Sequence, residues 1–170
     1  YLDRKHVIEA AWNWINMTIP VISSTFASFS RMCKNLGAET LGHLFIDEAG
    51  QALPQAAVGA IYRSRHVMVV GDPLQIKPVL TLDSNTLYML GEHFGVTEKY
   101  LSASASAQSL ADAASQYGFY RKQDKAEESW VGIPLWVHRR WRYPMFTISN
   151  MISYDGFMVQ GMEKYGKTDW

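Results

Sequence analysis

Leu44-Phe45-Ile46-Asp47-Glu48-Ala49-Gly50-Gln51-Ala52 runs from an apolar strand pattern straight into an acidic pair. The apolar run, begun at His43, has strand length and stops at a carboxylate. A second such run, His66-Val67-Met68-Val69-Val70, stops at Gly71-Asp72. Between them Pro54 sits where a first helical turn tolerates proline, and Gln55 to Tyr62 continues as a helix. Upstream, Val7, Ile8, Ala11, Trp12 and Ile15 fall on one helical face. Pro20 breaks that helix, Pro20 to Thr25 reads as a short buried strand, and Phe26 to Leu36 as a helix ended by Gly37. Strand, helix, strand, helix, strand is the rhythm of an α/β fold, a parallel sheet flanked by helices. In such sheets ligands bind at the C-terminal ends of the strands, where both acidic turns fall.

Downstream the pattern changes. Residues 81–130 read as a helical insertion or connector, with a Ser-Ala tract over 102–107, a helix from Gln108 to Tyr117 and a charged run from Arg121 to Glu128. From Val131 a second apolar unit opens: a strand through Ile133 to Val137, then a helix from Pro144 to Met151. The expected organisation is thus residues 1–80, 81–130 and 131–170.

Composition bounds the function. The chain has 170 residues, 48% of them apolar, and a formal net charge of zero. That excludes a disordered tail and a broadly basic nucleic-acid binder, so any nucleic-acid contact must be local. The single Cys33 excludes an internal disulfide and a cysteine zinc cluster. The five histidines lack the i, i+4 spacing of a zinc site. No apolar run reaches the roughly 18 residues of a spanning helix, so no membrane partner is expected. With no signal-peptide pattern and no initiator Met, the expectation is a segment of a longer intracellular, cytoplasmic protein.

The acidic turns suggest a chemistry. A nucleoside triphosphate brings Mg²⁺, a hard ion that keeps waters and takes one or two carboxylates. Asp47 at the strand end suits that metal; Glu48, one residue on, suits activation of the attacking water. In Gly71-Asp72-Pro73-Leu74-Gln75, the amide of Gln75 suits a sensor of the terminal phosphate.

These residues together resemble a known family. Asp47-Glu48-Ala49-Gly50-Gln51-Ala52 looks like the Walker B segment, motif II, of superfamily 1 helicases, closest to the Upf- and Dna2-like branch of the P-loop ATPases. Gly71-Asp72-Pro73-Leu74-Gln75-Ile76-Lys77-Pro78 is similar to motif III, and Ser23-Ser24-Thr25 to the neighbourhood of motif Ia. Pro134 to Arg140, Pro144 to Asn150 and Tyr154-Asp155-Gly156 resemble motif IV. The resemblance covers residues 20–157 with the motifs in family order. It implies a RecA-like first domain, a helical insertion and the start of a second RecA-like domain. It implies ATP and Mg²⁺ as cofactors, and single-stranded DNA or RNA and the rest of the helicase chain as partners. Asp47 and Asp72 would serve the Mg-ATP, Glu48 the water and Gln75 the coupling. Ser23, Ser24 and Thr25 would lie along the nucleic-acid backbone. An arginine would neutralise phosphate charge: Arg140 first, Arg139 second, with Arg142 still open because the spacing to Pro144 departs from the family pattern.

A Walker A loop is not found ahead of Asp47. The literal match Gly161-Met162-Glu163-Lys164-Tyr165-Gly166-Lys167-Thr168 falls after motif IV with no room for the helix that such a loop requires, and reads as coincidence. The chain alone is therefore expected to turn over ATP poorly. Two rivals remain: a non-catalytic helicase-like binding module, and a P-loop enzyme built on Lys167-Thr168.

Overall fold

The structure, a computed structural model, describes residues 4–72, 76, 78–79, 82–97, 100–101, 105–123 and 126–162. It is a mixed α/β chain that divides into two units, Tyr1–Ala111 and Asp112–Trp170.

In the first unit, helix α1 spans Arg4–Thr18, stopping just short of Pro20, and α2 spans Phe26–Met32. Strand β1 covers Leu41–Ile46, α3 Pro54–Tyr62 and β2 Ser64–Val69. Helix α3 is the crossover that lets β1 and β2 lie parallel, with Ile46 level with Val69. The ladder runs on past the strand ends: Val70 donates to the Ile46 carbonyl at 2.8 Å, and Ala49 to the Val70 carbonyl at 3.0 Å. Helix α4, Ser84–Phe94, is capped by Asp83. The Thr86 hydroxyl and amide both donate to that carboxyl and hold it below its usual range.

One sheet face makes the core. Ile46, Ala49, Ala57 and Ala107 are buried together, with Phe26, Leu44, Ala52, Ile61 and Val69 packed against them. Ala107 opens helix α5, Ala107–Ala114, and its amide donates to the Ala52 carbonyl at 2.8 Å. Ser106 and Ser109 cap this helix reciprocally: each amide donates to the other's hydroxyl. Ala105, Ser106 and Ala107 are buried, so the end of the Ser-Ala tract is core rather than connector. Small side chains are needed there because backbone lies directly against backbone. The opposite sheet face is open, with Phe45 68% and Met68 57% exposed.

Arg63, at the end of α3, ties this unit together. Its Nε donates to the carbonyls of Cys33 (2.9 Å) and Leu36 (3.1 Å), and a terminal nitrogen donates to the Gly59 carbonyl (2.7 Å). We expect Arg63→Met to destabilise the chain by about 2 kcal/mol, since the stem is kept but carbonyls lose a charged donor. Urea unfolding would measure this; a loss under about 0.5 kcal/mol would mean water replaces the guanidinium. Cys33 itself is buried, and burial pushes its thiol up while the Arg63 guanidinium draws it partly back. It is a packing residue.

In the second unit β3, Phe119–Gln123, and β4, Ala126–Val131, pair antiparallel. Strand β5 is Val137–His138, α6 Met145–Ser153 and β6 Val159–Gln160, with β5 and β6 parallel. Trp136 lies between Phe119 and Phe157, ring centroids 5.9 Å from each. The buried Asn150 exchanges two 3.0 Å hydrogen bonds with the Met158 backbone, pinning the chain after α6 to the helix.

Several expectations need correction. Pro20 to Thr25 is not a strand: among the described residues no strand takes up its backbone, and Val21 is 82% exposed. Helix α2 stops at Met32, and a turn over Cys33 to Asn35 replaces its expected last turn. The stretch expected to be a helical insertion or connector, with a charged run over Arg121 to Glu128, ends in the β3–β4 hairpin. Its strand formers Phe119, Tyr120, Trp130 and Val131 lie at the two ends of a charged run that hides the pairing in sequence. The strand expected over Ile133 to Val137 shrinks to β5, because Pro134 has no amide to give a ladder. In place of one extended sheet, the described residues form three two-stranded sheets.

Candidate functional site

Two turns meet at the C-terminal end of the β1–β2 pair. The parallel register brings the end of β1, with Asp47 next in sequence, level with the end of β2 and the turn through Gly71 and Asp72. After β1, the Oδ1 atom of Asp47 accepts the Glu48 amide at 2.9 Å. Glu48 is held left-handed, at φ 51° and ψ 38°, and turns the chain into a single 3-10 turn over Ala49–Gln51. The Gln51 amide donates to the Glu48 carbonyl at 3.0 Å and closes that turn. The Gln51 side-chain amide donates to the Glu48 carboxylate at 3.4 Å. Asp47 and Glu48 are exposed, whereas Ala49 and Gly50 directly behind them are buried. The acidic pair is thus presented to solvent from a packed base.

That base is backbone on backbone. A Cβ on Gly50 would stand 2.6 Å from the Asp72 carbonyl oxygen. A Cβ on Gly71 would stand 2.7 Å from the Gly50 nitrogen and 2.9 Å from the Ala49 nitrogen. Neither turn could approach the other so closely with any side chain at these positions. The sequence patterns assign Gly50 no role of its own. The signal was its place two residues beyond an acidic pair, in register with a second Gly-Asp turn.

The other expected site residues divide. Gln75 lies outside the described residues, as does the Lys167-Thr168 match. Asp72 is half-buried beside Gly50. Ser23, Ser24 and Thr25 are exposed, ahead of α2. Thr25 is occupied as the cap of that helix, its hydroxyl accepting the Ser28 amide at 3.3 Å. Arg139 and Arg140 belong to the second unit, on a turn made tight by the Trp141 amide donating to His138 Nε2 at 2.8 Å. Both arginines are exposed there.

A Mg²⁺ ion bound through its waters needs hard oxygen donors that water can reach. Asp47 meets that need, since it is exposed at the strand end and only its Oδ1 atom is engaged, by the next amide. Among the described residues no three His, Cys, Asp or Glu side chains converge as a ligand cage. An ion shared with a bound triphosphate does not need one. Among the described residues no helix is long and apolar enough to cross a membrane. Compared with known protein families, with curated proteins and with solved structures, the chain finds no match in any of the three.

Proposed function

We propose that this chain is part of an ATP-dependent nucleic-acid helicase or translocase of superfamily 1 type, with the β1–β2 pair belonging to a RecA-like first motor domain. The observation that carries the reading is the close packing of the Asp47-Glu48 turn on the Gly71-Asp72 turn at one end of a parallel strand pair. Parallel α/β sheets bind ligands at that end. Asp47 would hold the water shell of the Mg²⁺ that accompanies ATP. An ion held there would supply positive charge against the charge that develops on the transferred phosphoryl group. Glu48 would orient the attacking water and take its proton. Gln75 would sense the terminal phosphate, and Arg140, or Arg139, is the arginine that the motif IV resemblance offers for phosphate charge. Ser23 and Ser24 are the exposed hydroxyls that the motif Ia resemblance assigns to single-stranded DNA or RNA.

The test is ATP turnover by the full-length protein, alone and with single-stranded DNA or RNA. Stimulation by either strand supports the motor and identifies its track. Turnover no faster than in buffer, with both, would sink it and leave the non-catalytic binding module.

A further inference from the structure

Along the sequence the five histidines look scattered. The parallel register undoes that for two of them. His43 and His66 are directly paired across β1 and β2. Their rings stack with centroids 5.0 Å apart and planes inclined by 27°. Both side chains are exposed, on the face shared with Phe45 and Met68 and turned away from the core cluster.

We propose that His43 and His66 form a two-imidazole site for a divalent transition ion, with copper bound more tightly than nickel or zinc. Neutral imidazole is the commonest protein ligand of such ions. Two imidazoles with no carboxylate select them over magnesium and calcium. The ladder between β1 and β2 fixes both Cα positions, so the second ligand is already in place when the first binds. What must change is ring orientation. Stacked rings aim their in-plane lone pairs side by side, and each must swing until both meet one ion about 2.0–2.1 Å away. The terminal imidazole torsion is broad, and exposed rings swing at little cost. The remaining positions go to water, which makes the site exchangeable rather than structural.

The other histidines are placed differently. His138 Nε2 accepts the Trp141 amide. The His93 ring stands edge-on to Phe94, and His6 Nδ1 lies 3.9 Å from Glu9. Among the described residues no other two imidazoles are stacked. The site stands apart from the acidic turns and holds whether or not the protein turns over ATP.

Calorimetric titration of the full-length protein with Cu²⁺, run beside the variants, tests the site. We expect one equivalent to bind to the wild type, and His43→Ala and His66→Ala each to weaken binding by about tenfold or more. The double variant should bind more weakly than either single, because no imidazole remains to hold the ion. Electron paramagnetic resonance of the wild-type complex should show two nitrogen donors, and one in each single variant. Since the side chains are exposed, circular dichroism should be unchanged in all three. Singles binding within about twofold of wild type would overturn the site. So would an equivalent lost on substituting His6, His93 or His138 but retained in His43→Ala.

Discussion

Glu48→Gln is expected to lower ATP turnover of the full-length protein by about 10²–10⁴-fold, the usual contribution of a positioned general base. The amide keeps the size of the side chain and its reach toward Gln51, so nucleotide affinity should change far less than turnover. A second substitution at the same position separates chemistry from architecture. Glu48 is a non-glycine residue held at φ 51°, a conformation that costs roughly 1–2 kcal/mol for an L-residue. Such strain persists only where the surroundings impose it, and it collects at functional sites. Here the Asp47 side chain holding the Glu48 amide, and the 3-10 turn that follows, impose it. Glu48→Gly should therefore match or exceed the wild type in urea unfolding, by up to about 1 kcal/mol, while losing as much turnover as Glu48→Gln. Unchanged turnover in either variant would remove Glu48 from the chemistry. Loss of both stability and turnover in Glu48→Gly would mean that the carboxylate is structural.

Gly50→Ala is expected to cost about 1–3 kcal/mol, the usual effect of overpacking a site whose neighbours cannot yield. The obstruction is the Asp72 carbonyl, a backbone atom held by the ladder through Val70. Because the added methyl would push the two acidic turns apart, turnover should fall with stability. Gly42→Ala is the control. It lies in β1, ahead of the turn that holds Gly50, its added Cβ meets nothing within 4 Å, and it should be neutral or mildly stabilising. The comparison is read from urea midpoints at unchanged m-value. Equal behaviour of the two glycine variants would mean that the turns do not pack as described, and the case for a shared site would go with them.

Local patterns carried much of the first unit. The apolar runs ending at Asp47 and at Gly71, the proline opening α3 and the stripe from Val7 to Ile15 marked β1, β2, α3 and α1 from residue type and period alone. An acidic pair after a strand is also a local signal, so Asp47 and Glu48 were legible as candidates. The same locality misled over Pro20 to Thr25, where strand propensity found no partner backbone. It also misled over the β3–β4 hairpin, whose pairing depends on residues at opposite ends of a charged run.

By itself, then, the sequence determined α1, α3, β1 and β2 and where carboxylates follow a strand, because period and residue chemistry act within a few neighbouring residues. Only the tertiary structure decided that Gly50 meets Asp72, that Ala105 to Ala107 are core, and that His43 faces His66. Those contacts come from strand register and chain crossing, which join residues far apart along the chain and leave no periodic mark in it.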